Sequence, residues 1–212
     1  MKKSLLIIFL ILVLDQALKF WIKLHMTIGQ EFHVLDDWFI LHFTENEGMA
    51  FGMHFGGSFG KLLLSLFRIG AIIAIGWYLV HLIKRKAPAG LIISISMIMA
   101  GAIGNILDSA FYGLIFSRST FHNVAVLFPE GGGYGAFLHG KVVDMLYFPI
   151  VQGYYPNWVP FWGGTDFIFF RPVFNIADSS ITIGVFLLIL FQRRFFTRPA
   201  KAQNITTVEN DL

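Results

Sequence analysis

Four stretches of the chain consist almost entirely of apolar residues. Each approaches the roughly 20 residues that a helix needs to cross a bilayer. Polar, Gly-rich or aromatic segments separate them, so the pattern predicts a bundle of four transmembrane helices. The predicted spans cover about residues 4–24, 61–83, 90–113 and 174–192.

The first span could instead be a cleaved secretory signal, because Lys2 and Lys3 precede an apolar run. However, Asp15 and Lys19 interrupt the second half of this run, and no small-residue cleavage site follows it. We therefore interpret the first stretch as a span that the mature protein keeps.

Basic residues cluster beside the predicted spans, always on the same side of the membrane. Because cytoplasmic loops are enriched in Lys and Arg, both termini are predicted to be cytoplasmic, and the connections 25–60 and 114–173 face outward. On this interpretation residues 1–198 form a single integral membrane domain, and the polar tail 199–212 is disordered. The clusters are Lys2 and Lys3, Lys84 to Lys86, and Arg193, Arg194, Arg198 and Lys201.

The two outer connections predict a small extracytoplasmic cap. The first alternates loosely between polar and apolar residues over 38–43, which indicates short strands. The second is long, and loops of that length are either functional or disordered. Its many aromatic residues favour a cap at the membrane surface. The predicted fold class is therefore an α-helical membrane protein with a β-containing cap.

The composition supports a polytopic membrane protein, since 56% of the 212 residues are hydrophobic and only 14% are charged. The absence of Cys excludes thiol catalysis, Cys zinc sites and disulfides. Membrane orientation accounts for the formal net charge of +3, so no nucleic-acid partner is predicted. No H-E-x-x-H pattern and no G-x-S-x-G pattern occurs, and we predict no metal ion or other cofactor.

Polar residues inside the spans converge on one depth, just below the outer surface. At about 1.5 Å rise per residue, Asp15 lies roughly 17 Å from the inner end of the first span. Asp15 and Lys19 are spaced i, i+4, which predicts a buried ion pair that organises helix packing. Arg68 is either a counter-charge or a side chain that snorkels to the surface, and we favour snorkelling. Asn105 and Asp108 close the outer end of the third span.

Two acids stand out as a candidate catalytic pair. Asp178 lies about one turn inside the fourth span, where an ionised carboxylate is costly and indicates function, and Asp144 lies in the outer connection near the same face. Two neighbouring carboxylates share a proton at neutral pH, and such a pair can hydrolyse a peptide without metal or covalent nucleophile. Taken singly, Asp178 could complement the helix dipole beside a cap at Asn175, and Asp144 could be a solvated loop acid.

Other functions remain open at this point. Asn46, Asn105 and Asn175 could bind a substrate backbone or the acids. A non-enzymatic carrier or channel would use the buried charges as an ion or proton path, although the inner halves of the spans lack such charges. A membrane scaffold would use the aromatic outer loop to bind partners.

Five short motifs, in order, resemble those of the lipoprotein signal peptidase (signal peptidase II) family. That family has four spans with both ends inside, as predicted above. The similarity covers all four spans and the first outer connection. The motifs are Asp15 with Lys19, Asn46 to Phe51, Gly104 to Asp108, Val142 to Asp144, and Phe174 to Asp178.

The resemblance implies an aspartyl endopeptidase of the bacterial cytoplasmic (inner) membrane, with its active site near the outer, periplasmic face. Its substrates would be prolipoproteins, cut before the diacylglyceryl-modified Cys, and membrane lipid would be its other partner. We expect a monomer. By this resemblance the catalytic residues are Asp144 and Asp178, and the substrate-binding or supporting residues are Asn46, Gly48, Asn105, Asp108, Asn175, Asp15 and Lys19.

The sequence departs from the family in two respects. The family usually has Arg directly after G-N-x-x-D, where this chain has Ser109, and Arg118 is a candidate substitute. The outer segments 113–141 and 149–172 are also much longer than in compact members, so the shape of the cap cannot be transferred by analogy.

Overall fold

A computed structural model describes residues 1–47, 57–169 and 172–192. Three of its helices are long and apolar enough to cross a membrane. A shorter apolar helix, α5, follows near the end of the described chain. The helices are α1 (Lys2–His25), α2 (Gly57–Lys84), α3 (Ala89–Leu107), which continues through a π-helical turn (Asp108–Tyr112) into α4 (Gly113–Ile115), and α5 (Ile176–Leu190).

The helical membrane fold is therefore confirmed, and all four apolar stretches form helices. The fourth helix begins later than predicted, because Val173 and Phe174 pair as a strand and Asn175 caps the helix. Gly48 and the tail 199–212 lie outside the described residues. The interpretation of 1–198 as one membrane domain stays a prediction.

Helix α3 is the centre of the bundle and packs most extensively against α5, then against α1 and α2. Small residues allow the close approach, as is usual between helices in membranes. A Cβ added to Gly101 would lie 2.2 Å from the carbonyl oxygen of Ala177 on α5, and one added to Gly104 would lie 2.9 Å from Asp15 Oδ2 on α1. These contacts bring the polar residues of three helices together.

Four antiparallel strands form the sheet of the cap, in the order β1, β2, β3, β6. The strand predicted within 38–43 is confirmed as part of β2. The register places Thr44 opposite Asp144 and Leu146 opposite Phe174. A separate hairpin joins β4 and β5. The strands are β1 (Glu31–Leu35), β2 (Phe39–Asn46), β3 (Val142–Tyr147), β4 (Val151–Tyr154), β5 (Asp166–Phe169) and β6 (Val173–Phe174).

A hydrophobic core joins this sheet to the outer ends of α1 and the π-helical turn. A buried ion pair between Lys23 and Glu45 lies beside it, and Ser119 of the long outer connection hydrogen-bonds to both side chains. The extended connection is thereby fixed to α1 and β2. The core includes Ile22, Phe43, Tyr112, Phe116, Val143 and Met145.

Candidate active site

The two candidate catalytic acids lie on adjacent elements. Asp144 is in β3 and only 3% exposed, because β3 is covered along most of its length. Pairing of β3 with β6 brings the start of α5 beside β3. Asp178 lies in the first turn of α5 and is partly exposed. The fold thus brings together two acids from distant parts of the chain.

Asn175 links the two acids. Its side-chain Nδ2 donates to Asp144 Oδ1 over 2.7 Å, and its Oδ1 accepts from the backbone N–H of Asp178 over 2.8 Å. The second bond is a helix N-cap, as the sequence predicted. One amide therefore orients both acid-bearing elements.

Two further amides complete the hydrogen bonding of the acids. Asn105 Nδ2 donates to Asp178 Oδ1 over 2.7 Å, and Asn46 Nδ2 donates to Asp144 Oδ2. Asn105 Oδ1 in turn accepts from Asn175 Nδ2 over 3.2 Å. Each carboxylate is held by amide donors, which leaves its remaining lone pairs for substrate or water.

The environment of Asp144 favours its protonated form. Burial is the main cause, and the negative charge of Asp178 adds to it; together they raise the pKa of Asp144 to about 7. The hydrogen bond from Asn175 works in the opposite direction and is outweighed. Near neutral pH the pair therefore retains a proton, which is the state that acid–base hydrolysis requires.

A fully buried cluster of three ionic side chains lies next to the candidate acids. Lys19 Nζ lies 2.9 Å from Asp15 Oδ2 and 2.8 Å from Asp108 Oδ2. The predicted i, i+4 ion pair is thus present, with Asp108 as a third member. All three side chains are at most 1% exposed, so charge neutralisation within the cluster is essential.

The cluster also binds the backbone of both elements that carry the candidate acids. Asp15 Oδ1 accepts from the N–H of Ala177 over 2.9 Å, and Asp108 Oδ2 accepts from the N–H of Val143 over 3.3 Å. Each bonded residue directly precedes one of the candidate acids. Lys19 further donates to Asn105 Oδ1 over 3.2 Å. The geometry fits a supporting role for Asp15, Lys19 and Asp108.

Every predicted site residue within the described chain joins this one network. Gly48 lies outside the described residues. The catalytic and binding roles themselves stay predictions. In the part of the chain that the structure describes, no three His, Asp or Glu side chains are arranged to hold a metal ion.

Gln16 and Tyr112 belong to the network but were not predicted. Gln16 Nε2 donates to Asp108 Oδ1 over 2.9 Å, and the Tyr112 hydroxyl donates to Gln16 Oε1 over 3.0 Å. Both sit in apolar spans directly beside or one turn from a predicted acid. Gln16 could have been recognised from the sequence, because it is a polar residue inside an apolar span.

The position of Arg68 favours the alternative that the sequence analysis ranked second. Arg68 is partly buried and interacts electrostatically with Asp178, Asp108 and Asp144. It lies on the same face of α2 as Ser65, which bonds the cap through the carbonyl oxygen of Leu138. The structure therefore supports the counter-charge over snorkelling. Arg118 is exposed, so Arg68 is the better substitute for the cation that is lacking at position 109.

Comparison with known proteins finds relatives of this chain. A family model described as signal peptidase (SPase) II matches residues 7–194. A lipoprotein signal peptidase of Porphyromonas gingivalis is 52% identical over 185 residues, covering 87% of this chain and 80% of the relative. A lipoprotein signal peptidase of Amoebophilus asiaticus is 36% identical over 202 residues, covering 94% of this chain and 81% of the relative.

Solved structures agree with these sequence matches. A bacterial membrane enzyme determined by the in meso method at 2.3 Å resolution superposes with a TM-score of 0.61 and 25% identity, covering 95% of this chain and 94% of the other. A second bacterial membrane enzyme, determined at 1.9 Å resolution, superposes with a TM-score of 0.59 and 28% identity, covering 91% of this chain and 93% of the other. The likeness extends over helices and cap together.

Proposed function

The chain belongs to the signal peptidase II family, whose members remove signal peptides from prolipoproteins, and we propose that Asp144 and Asp178 are its catalytic pair. The chain is accordingly a membrane-bound aspartic peptidase that acts on prolipoproteins. This membership sets aside the non-enzymatic carrier or channel. One observation carries the assignment of the pair: Asp144 is buried beside Asp178, and this environment raises its pKa to about 7.

In the first step a water molecule held between the acids attacks the scissile carbonyl carbon. Asp178, the more exposed acid, accepts a proton from the water as the new C–O bond forms. Asp144 gives its proton to the carbonyl oxygen. The product is a neutral tetrahedral diol, with Asp178 protonated and Asp144 ionised, so no net charge develops on the substrate.

In the second step the C–N bond breaks. Asp178 returns its proton to the leaving nitrogen, and one diol hydroxyl gives its proton to Asp144. The signal peptide leaves with a new carboxyl group, and the pair regains its starting protonation. Asn175 and Asn46 keep Asp144 oriented, while Asn105 orients Asp178.

The depth of the site supports a lipid-modified substrate. A substrate anchored by acyl chains presents its scissile bond near the headgroups, so cleavage before the lipidated Cys requires acids at that depth. The acids lie where α1, α3 and α5 meet the cap, and the positive-inside bias supports assigning that end to the outer, periplasmic side of the inner membrane. One copy of the chain supplies both acids and all three amides, which supports a monomer as the acting unit.

Separate substitution of each acid tests the assignment. Asp144→Asn and Asp178→Asn are expected to abolish cleavage of a lipidated prolipoprotein in vitro, while both variants still insert into membranes. Asp37→Asn is the matched control, because Asp37 is an outer acid that is 86% exposed on the β1–β2 turn. The control should retain full activity.

The substrate comparison is made in the same assay. Wild-type protein is expected to cleave a lipidated prolipoprotein and to leave its unlipidated counterpart intact. Full turnover by either Asn variant would remove the claim of a catalytic pair, whereas equal cleavage of both substrates would remove only the claim of lipid dependence.

A further inference from the structure

The β4–β5 hairpin carries a concentrated group of exposed aromatic side chains. Phe161 is 98% exposed and Trp158 is 80% exposed. Tyr154 and Trp162 are exposed as well. Large apolar side chains scattered singly on a surface need no explanation, but a contiguous patch marks an interaction surface.

The tip of this hairpin is a defined loop. The N–H of Tyr155 donates to the carbonyl oxygen of Thr165 over 2.9 Å, and the N–H of Gly164 donates back to Tyr155 over 2.8 Å. A further bond of 2.9 Å runs from Gly163 N–H to the carbonyl oxygen of Val159. Backbone bonds close the loop, so its aromatic side chains are displayed outward from a fixed frame.

The most exposed residue occupies a strained backbone position. Phe161 has φ 68°, in the left-handed region that bulky residues rarely adopt. A glycine would fit there without strain. A phenyl ring that is 98% exposed gains almost no burial when the chain folds, so the positive φ of Phe161 is not offset by packing within the chain.

The composition of the segment indicates a lipid surface. Residues 149–165 contain no charged side chain, while they hold two Trp and two Tyr. Trp and Tyr concentrate at the membrane–water interface, where an apolar ring with a polar group is best accommodated. An uncharged segment of this kind enters the interface by burying rings rather than by attraction to anionic lipid.

The fold keeps this hairpin close to the spans. Only three residues separate β3 from β4, which at full extension cover roughly 14 Å. Phe148 in that connection stacks on Phe39 at 4.8 Å and on Phe174 at 5.9 Å between ring centroids. Phe174 lies two residues before α5, so the base of the hairpin is packed beside the outer end of a membrane helix.

From these observations we propose that the tip of the β4–β5 hairpin inserts its aromatic side chains into the outer headgroup region of the bilayer. The hairpin is inserted in the chain between β3, which carries Asp144, and β6, which leads to Asp178. Anchoring the tip in the membrane would hold this strand pair at a fixed height above the acyl chains. That height sets where a membrane-bound scissile bond meets the acids, and this consequence rests on the proposed function.

The absence of Cys allows a direct measurement of depth. Single variants Phe161→Cys, Gly70→Cys and Gly131→Cys are labelled with an environment-sensitive fluorophore and placed in phosphatidylcholine vesicles. Gly70 lies midway along α2, and Gly131 lies in an outer loop beside Glu130; a Cβ added at either meets nothing within 4 Å. They serve as the membrane and aqueous controls.

Lipid-attached and soluble quenchers separate the outcomes. The label at Phe161 is expected to be quenched most by a nitroxide near the headgroup, the label at Gly70 by a nitroxide deep in the acyl chain, and the label at Gly131 by aqueous iodide. Iodide quenching at Phe161 equal to that at Gly131 would overturn the proposal. Protection from all three quenchers would overturn it too, by indicating a protein partner. The measurement needs no catalysis, so it stands apart from the assignment of the acids.

Cleavage activity provides an independent test of membrane anchoring. The variant used for it adds no backbone strain. Phe161→Gly removes the ring and relieves the backbone, so its thermal stability should equal or exceed that of the wild type. Combined with Trp158→Ser, it is expected to lower cleavage of a bilayer-embedded prolipoprotein at least fivefold and to leave cleavage in detergent micelles unchanged. An equal loss in both media would contradict anchoring in the membrane.

Discussion

The side-chain amide of Asn175 donates to the carboxylate of Asp144 over 2.7 Å, so one residue makes both a helix cap and a contact with a candidate catalytic acid. As the helix cap, Asn175 accepts through Oδ1 from the backbone N–H of Asp178 in the first turn of α5. It contacts Asp144 by donating through Nδ2. These two functions can be separated, because serine caps a helix but has no amide to donate in this geometry.

Asn175→Ser and Asn175→Ala form a matched pair. Both remove the donor to Asp144 and are expected to lower kcat at least tenfold. Only Asn175→Ala also loses the cap, at about 1 kcal/mol of unfolding free energy. Thermal unfolding in detergent, together with kcat, distinguishes the two effects. Equal activity of the serine variant and the wild type would show that the contact with Asp144 is dispensable.

The raised pKa of Asp144 predicts a definite pH dependence of stability. The folded pKa, about 7, exceeds the ordinary value of 3.8, so the folded state binds the proton more tightly than the unfolded state. The stabilisation is fully present below pH 4 and is lost as the pH rises through 7. The side chain in Asp144→Asn cannot ionise, so this variant should not lose stability in this way as the pH rises.

The measurement is the stability difference between wild type and Asp144→Asn at several pH values. The difference should change in favour of the variant by roughly 2 to 4 kcal/mol between pH 4 and pH 8. Activity of the wild type should fall over the upper part of the same range. Parallel stability curves would contradict the raised pKa of Asp144.

Much of this site could be predicted because ionised groups are rare in apolar spans. Asp15, Lys19 and Asp178 were recognised for that reason, and Asn175 because an amide at the start of a helix is a usual cap. Their convergence at one depth followed from the topology. The polarity of the residues could not predict which amide hydrogen-bonds to which acid, because this pairing depends on how each helix is rotated about its axis.

The cap was less predictable for a different reason. Its strands pair across long separations, and the register of Thr44 with Asp144 is set by tertiary packing rather than by local pattern. The buried pair of Lys23 and Glu45 was missed, because each residue alone reads as a solvated charge near a span end. The β4–β5 hairpin has no clear alternation, so only its aromatic composition was noticed.

Lys19 is expected to be essential for folding. Lys19→Met leaves Asp15 and Asp108 buried without their cation, which should cost about 3–5 kcal/mol of unfolding free energy. Adding Asp108→Asn removes one of the two charges and should recover part of that loss. Lys141→Met is the control, because Lys141 is partly exposed and lies 3.6 Å from Glu47; its cost should be below about 1 kcal/mol. No recovery in the double variant would contradict a charge-based cluster.

Gly101 is expected to tolerate no side chain. In Gly101→Ala the new Cβ meets the carbonyl oxygen of Ala177 at 2.2 Å, so α5 must shift together with Asp178. We expect a loss of about 1–3 kcal/mol and a marked fall in kcat. Gly70→Ala, with open space around the new Cβ, should gain up to about 1 kcal/mol from helix propensity. Equal stability of the two variants would contradict the packing of α3 on α5.

Arg68 is expected to influence the acids through its charge. Its positive charge interacts with Asp144 and a nearby cation favours an ionised carboxylate, so Arg68→Gln should move the alkaline limb of the pH profile of kcat/KM to higher pH. Arg68→Lys retains the charge and should restore the wild-type profile. A purely structural contact would lower stability in both variants and leave the pH profile in place. If the glutamine variant keeps both the profile and kcat of the wild type, the counter-charge to the proposed catalytic acids must come from another residue.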